Sequence, residues 1–66
     1  MQITVNGEIH NISQTLSLDE LLRKLALTEG RIAVEVNGEI VPRSQFLEYE
    51  INDQDKIEIV QAIGGG

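Results

Sequence analysis

The chain has 66 residues and a formal net charge of −6, with eleven acidic and five basic side chains. This surplus of acid excludes nucleic acid and anionic membranes as main partners, because phosphate contacts require clustered Lys and Arg. Cysteine is absent and His10 is the only histidine, which excludes disulfides, thiolate catalysis and a clustered Cys/His metal site. We therefore expect one small domain stabilised by packed aliphatic side chains.

Targeting signals are also missing from the sequence. No apolar run approaches the roughly 20 residues that a membrane span needs. The opening MQITVNGEIH has neither the basic region nor the cleavage site of a signal peptide. We therefore expect a cytoplasmic protein.

The N-terminal segment predicts a β-hairpin. Ile3 and Val5 alternate with polar residues, as in a half-buried strand, and the Asn-Gly dipeptide that follows is a strong turn signal. A two-residue turn would pair Val5 with Glu8, whereas a three-residue loop with a bulge would set Ile9 beside Ile3. We favour the bulge, because burying Glu8 without a partner would cost several kcal/mol.

The segment LSLDELLRKLAL predicts an amphipathic helix. Its leucines recur with the spacing of a single helix face: Leu18, Leu21, Leu22 and Leu25. Ser17 and Glu20 form a capping box at the start, and Gly30 is the expected stop signal. Two pairs have the favourable (i, i+4) order for ion pairing, Asp19–Arg23 and Glu20–Lys24.

A second hairpin follows the helix. Ile32, Val34 and Val36 alternate with polar or small residues, and the sequence VNGEI of residues 5–9 recurs at residues 36–40. We attribute this identity to a shared turn that needs a glycine with positive φ, and not to an internal repeat. A short fourth strand should end before Pro42, which cannot extend a central ladder.

The last third predicts a short irregular segment, a turn and a final strand. PRSQFLEY is expected to be irregular or to form a single turn, with Phe46 and Leu47 turning one apolar face inward, and NDQD is expected to be a turn. In the final strand, Ile57 and Ile59 should face the core and Val60 should face outward.

The element order β-β-α-β-(short β)-β predicts an α+β domain with one main helix on one face of a mixed sheet of four to five strands. Right-handed connections place the first and last strands in the centre. That arrangement is the β-grasp, or ubiquitin-like, fold. We expect it to span residues 1–63, with residues 64–66 as a flexible glycine tail projecting from the last strand.

Two stretches, VNGEIVPRSQF and DKIEIVQAIGGG, resemble the sulfur carrier family of thiamine biosynthesis (ThiS). The family has a similar Asn-x-x-x-Val-Pro-Arg stretch, matched here by Asn37, Val41, Pro42 and Arg43. The resemblance covers essentially the whole chain. Two departures are visible: the family often has Trp where Phe46 stands, and Asp-Gly-Asp where residues 53–55 read Asp-Gln-Asp.

The resemblance implies a carrier protein and not an enzyme. An adenylating (E1-like) enzyme would use ATP and magnesium to couple the Gly66 carboxylate to AMP. A sulfur donor such as a cysteine desulfurase would then supply the sulfur of a thiocarboxylate at Gly66, which thiazole synthase would consume. The chain would bind no cofactor and contribute no catalytic side chain. Gly64 and Gly65 would let the tail pass through a narrow channel in each partner.

The docking surface for these partners is predicted less directly. Val60, Ala62 and Ile63 lie just before the glycines and would form an exposed apolar patch, although Ile63 could equally pack on the sheet edge. Acidic side chains could steer the encounter or form ordinary solvated surface: Asp53, Asp55 and Glu58.

Three other functions stay open at this stage. The small subunit of molybdopterin synthase uses the same terminal chemistry, although such chains tend to be longer and the Val-Pro-Arg stretch argues against it. A ubiquitin-like modifier would instead join Gly66 to lysines of other proteins. The third is a structural domain whose glycine tail has no chemical role.

Overall fold

The computed structural model describes residues 1–62 and contains one five-stranded mixed sheet with one helix. The elements in chain order are β1 (Gln2–Val5), β2 (Glu8–Asn11), α1 (Leu18–Lys24), β3 (Arg31–Val36), β4 (Glu39–Val41), a 3-10 turn (Arg43–Gln45) and β5 (Lys56–Ala62). The strand order is β2-β1-β5-β3-β4. β5 runs parallel to β1 and antiparallel to β3. The predicted β-grasp fold is confirmed, with β5 in the middle of the sheet.

The first hairpin has the two-residue turn, so the predicted bulge is wrong. Val5 pairs with Glu8 and Ile3 pairs with His10, with Asn6 and Gly7 both at positive φ (50° and 84°). Glu8 is exposed because it lies at the end of an edge strand, so the desolvation cost that favoured the bulge does not arise. Ile9 consequently lies on the open face of the sheet and is 63% exposed.

The predicted start of α1 is confirmed in atomic detail. Ser17 Oγ accepts from the backbone N–H of Glu20 at 3.1 Å, and Glu20 Oε1 accepts from the backbone N–H of Ser17 at 3.0 Å. Arg23 forms the predicted ion pair with Asp19 at 2.9 Å. Within residues 1–62, no ion pair joins Glu20 to Lys24, because the Glu20 carboxylate is used in the cap.

The end of α1 differs from the prediction. The helix ends at Lys24, and Ala26 adopts a left-handed conformation with φ 59°. The backbone N–H of Leu27 donates to the Leu22 carbonyl at 2.9 Å and that of Ala26 to the Arg23 carbonyl at 3.1 Å, which is a Schellman motif. Gly30, the predicted stop signal, lies immediately before β3.

The core lies between α1 and the helix-facing side of the sheet. Five of its large side chains are fully buried: Ile3, Leu18, Val34, Ile51 and Ile57. Phe46 packs into this core as predicted, with 5% of its surface exposed, but Leu47 is 72% exposed. The prediction for Leu47 is therefore wrong: the single turn points only one of the two adjacent side chains inward. No helix within residues 1–62 is long and apolar enough to cross a membrane.

Candidate functional site

The predicted reactive tail follows directly from β5. Gly64, Gly65 and Gly66, as well as Ile63, lie outside the described residues. The described part of the candidate site is therefore β5 and the side chains that hold it. Six register pairs join β5 to β3, ending at Arg31 opposite Ala62. Only two pairs, the last at Val5 opposite Ile57, join β5 to β1.

Asn37, in the second hairpin turn, holds the beginning of β5. Its backbone N–H donates to the Lys56 carbonyl at 2.8 Å, and its Oδ1 accepts from the Lys56 N–H at 2.9 Å. Its Nδ2 donates to Asp55 Oδ1 at 2.9 Å. The β3–β5 ladder is thus continued by a side chain at the point where the β3 backbone turns away.

Asn6, in the first hairpin turn, holds the middle of β5 from the other side. Its backbone N–H donates to the Ile57 carbonyl at 2.8 Å. Its side-chain amide bonds Ile59 twice: Oδ1 accepts from the backbone N–H at 2.7 Å, and Nδ2 donates to the carbonyl at 3.1 Å. The amide replaces one further residue of β1, which has already turned away.

Gln61 holds the end of β5. Its Nε2 donates to the carbonyl of Glu29 at 3.0 Å, in the loop between α1 and β3. The last described residues before the tail are therefore attached to β3 through the ladder and to the preceding loop through this amide. Three side-chain amides therefore hold β5 by hydrogen bonds: that of Asn37 at its start, that of Asn6 in its middle and that of Gln61, a residue of β5 itself, at its end.

The repeated VNGEI therefore has a second structural role besides forming a turn: in both copies the asparagine side chain hydrogen-bonds β5. Both asparagines adopt positive φ, 50° for Asn6 and 53° for Asn37, which asparagine tolerates better than most residues. That conformation places both amides against β5. Sequence reasoning missed this role, because the Asn-Gly signal identifies a hairpin and says nothing of which strand the side chain meets.

Asp55 accepts a hydrogen bond from the Asn37 side chain and is only 7% exposed. Its two oxygens accept from Asn37 Nδ2 and, at 2.8 Å, from the backbone N–H of Asn52. Both interpretations of Asp55, as a side chain that steers a partner and as ordinary solvated surface, are therefore wrong, because the carboxylate is buried and each of its oxygens accepts a hydrogen bond. Asp53 is exposed but its Oδ1 accepts from the backbone N–H of Gln2 at 2.7 Å. Within residues 1–62, no cluster of acidic or histidine side chains is placed to hold a metal ion.

The open face of the sheet, opposite the helix, carries the described part of the predicted docking patch. Val60 is 67% exposed and lies opposite Ala33, and the exposed Ala62 lies opposite Arg31. The outward orientation of Val60 is confirmed, while its role in docking stays a prediction. Two further side chains, missed at first, add apolar surface to this face: Ile9 and Ile40, the latter 75% exposed.

Next to Val60, two glutamates face each other across the ladder. Glu35 of β3 lies directly opposite Glu58 of β5 on the open face. Neither forms an ion pair with another residue of the described part of the chain. Like charges in such a position are destabilising. The open face of the sheet is therefore apolar at Val60. It is negatively charged at Glu35 and Glu58, which lie farther from the chain end than Val60 does.

Known proteins resemble this chain along its full length. A family model described as "ThiS family" matches residues 3–66. The sulfur carrier protein ThiS of Escherichia coli is 33% identical over 66 residues, which cover all of both chains. A thiazole synthase of Paramagnetospirillum magneticum is 44% identical over 66 residues, and the chain spans 20% of that protein's length.

The fold is shared with a solved structure as well. The crystal structure of the thiamine biosynthesis protein (ThiS) from Geobacter metallireducens matches with a TM-score of 0.84 and 33% sequence identity, covering all of both chains. The similarity thus includes the fold, and the family match extends to residue 66.

Proposed function

Because the chain belongs to the ThiS family, we propose that it is a sulfur carrier protein of thiamine biosynthesis, with the Gly66 carboxyl group as the group that carries the sulfur. The observation that carries this proposal is the family match, which runs from residue 3 through residue 66 and so includes the terminal glycines. The small domain itself acts as a co-substrate of other enzymes.

The proposed chemistry begins with activation, because a free carboxylate is a poor electrophile. An adenylating enzyme with bound ATP and magnesium brings a Gly66 carboxylate oxygen in line with the α-phosphorus, and pyrophosphate leaves. Sulfide then attacks the acyl carbon and displaces AMP. Where the sulfur is supplied as the persulfide of a donor such as a cysteine desulfurase, a thiol first reduces the persulfide and releases sulfide. The product is a thiocarboxylate at Gly66, whose sulfur thiazole synthase consumes.

The hydrogen bonds that hold β5 support a role in which the domain presents its tail and other enzymes perform the chemistry. Ordering a glycine-rich segment in a partner's channel costs conformational entropy, since glycine loses the most freedom on being fixed. A strand held on both sides by Asn6 and by β3 presents the root of the tail in one orientation. That orientation limits the entropy cost to the last residues.

Docking of the adenylating enzyme on the open face is also part of the proposal. The exposed Val60 and Ala62 would be covered by apolar side chains of the partner, and the facing pair Glu35 and Glu58 would meet its cations. Bringing a cation to two repelling carboxylates relieves an unfavourable contact within the carrier, which favours association. Ile63, between this patch and the glycines, is included in the proposed contact.

The recipient of the sulfur and the location of the protein complete the proposal. Thiazole synthase is proposed as the recipient because the whole chain aligns with part of a thiazole synthase. The cytoplasmic location stays a prediction.

Mass spectrometry of the intact protein tests the function. Incubation with the adenylating enzyme, ATP, magnesium and sulfide should exchange one oxygen for sulfur, and omission of ATP should prevent the exchange. A variant with Gly66 deleted is the matched control and should gain no sulfur. A protein modifier would instead appear as conjugates on lysines of other proteins. An unchanged mass with a competent adenylating enzyme would contradict the proposal.

A further inference from the structure

A groove lies beside the end of β5 on the helix side of the sheet. Its volume is about 430 Å³, within the range of sites that hold several side chains or a small ligand. We call it the helix-end groove, and its apolar walls come from α1, the loop after α1, β3 and the segment after the 3-10 turn: Leu22, Leu27, Ile32, Phe46 and Leu47. Its charged lining consists of Arg23, Arg43 and Asp19.

The groove is adjacent to the root of the tail. Ile32, in its wall, is directly opposite Gln61 in the β3–β5 ladder. Thr28, also in the lining, precedes Glu29, whose carbonyl accepts the Gln61 amide at 3.0 Å. A partner that takes the tail therefore has the groove within its reach, on the opposite side of the sheet from Val60.

The charge of the groove is unlike that of the rest of the molecule. The chain carries six net negative charges, yet two of its five cations line this one groove. Arg23 is neutralised by Asp19 at 2.9 Å, whereas Arg43 forms no ion pair with any residue between 1 and 62. Leu47, close to Arg43 in sequence, is 72% exposed. The free guanidinium and the uncovered leucine together fit a segment that carries a carboxylate next to an apolar side chain.

We propose that the helix-end groove is the docking site of an acidic, apolar segment of thiazole synthase. The inference rests on the proposed function. We assign the groove to the synthase because the whole chain aligns with 20% of the length of a thiazole synthase, in which a unit similar to this chain shares one polypeptide with the rest of that protein. The adenylating enzyme uses the opposite, open face, where the unpaired glutamates attract cations. The two partners thus bind opposite faces of the sheet beside the end of β5. The synthase binds through an acidic segment and the adenylating enzyme through basic side chains.

Binding of the full-length carrier to purified thiazole synthase tests this assignment. The test variants are Arg43→Glu and Leu47→Asp, both at exposed positions. Lys24→Glu is the matched control, since it makes the same charge change at an exposed site outside the groove. We expect the Kd to rise at least about tenfold for both test variants and to stay within about twofold of the wild-type value for Lys24→Glu. Arg43→Gln, which removes the charge without reversing it, should weaken binding less than Arg43→Glu.

Thiocarboxylate formation by the adenylating enzyme provides the second readout, and it should be the same in all variants. Unchanged synthase binding by Arg43→Glu and Leu47→Asp would overturn the inference. So would equal weakening by Lys24→Glu, which would show an effect of net charge alone. Loss of thiocarboxylate formation in the groove variants would assign the groove to the adenylating enzyme. Failure of the proposed function is distinct, because the wild-type protein itself would then gain no sulfur.

Discussion

Asn6 bonds Ile59 through both ends of its side-chain amide, at 2.7 Å to the backbone N–H and 3.1 Å to the carbonyl. The two residues are 53 positions apart in sequence. The contact joins the first turn of the domain to the strand that leads into its glycine end. It secures β5 on the side where β1 has already turned away, while β3 secures the other side as far as Ala62.

Replacing Asn6 with glycine should loosen the middle of β5 specifically. Glycine accepts the positive φ of the turn, so the change removes the amide and little else. Leaving the Ile59 N–H and carbonyl without partners should lower the free energy of unfolding by about 1–3 kcal/mol. Chemical denaturation measures that loss, and amide hydrogen exchange should show faster exchange at Ile59.

Asn37→Gly is the matched control for that experiment, since it makes the same change in the other turn. Its exchange effect should appear at Lys56, whose N–H donates to Asn37 Oδ1, and not at Ile59. The same exchange pattern in both variants would show that the two amides stabilise the sheet only generally.

Replacing Ala26 with glycine should stabilise the protein. Ala26 has φ 59° at the end of α1, where an L-residue pays about 1–2 kcal/mol and glycine does not. Glycine also costs more chain entropy, so we expect a net gain of about 0.5–1 kcal/mol, read as a rise of several degrees in Tm. Ala33→Gly, in the extended strand β3, should lower Tm instead. A lower Tm for both variants would contradict the Schellman geometry.

The capping box should make helix stability depend on pH. Hydrogen bonds from the backbone and side chain of Ser17, together with the nearby Lys24 and Arg23 charges, hold the pKa of the Glu20 carboxyl below its ordinary value of 4.5. A carboxyl group with a lowered pKa stabilises the folded state above its unfolded pKa, and this contribution is lost as pH falls through the folded pKa. Stability should therefore decline below about pH 4.5.

Glu20→Gln isolates this effect, because glutamine keeps the capping hydrogen bond but cannot titrate. Denaturation curves from pH 6 to pH 3 should show a smaller decline for the variant than for the wild type. Parallel declines would indicate that other carboxylates account for the acid sensitivity.

The sequence predicted best those features that depend on local chemistry. The capping box of Ser17 and Glu20 involves residues three apart, and its pattern alone determines the contact. The core strands were equally clear, because the alternation that buries Ile57 and Ile59 leaves Val60 outside. From the order of the elements, connection rules then placed β5 in the centre.

The wrong predictions arose where the position of a residue in the tertiary structure decides its burial or its backbone conformation, which the neighbouring sequence does not show. Glu8 avoids burial because it lies at the end of the edge strand β2, and the pattern of one strand does not show that the strand is at an edge. Ala26 occupies a left-handed conformation for which glycine is the usual sequence signal, and the nearby Gly30 therefore predicts a stop that is too late. Gln54 similarly has φ 72° at the position where the related family often has glycine, and its N–H donates to the Gln2 carbonyl at 2.6 Å. The burial of Asp55 is not visible in the local sequence, because its partner Asn37 is 18 residues away.

We propose that the acyl group of Gly66, presented by a rigid domain, is the sole reactive centre of this protein. The most direct test adds a single phenylalanine after Gly66 and measures sulfur uptake by intact-mass spectrometry with the adenylating enzyme, ATP and sulfide. We expect an unchanged Tm and no sulfur in the extended protein, while the wild type is converted. Sulfur uptake by the untrimmed, extended protein at the wild-type rate would contradict it.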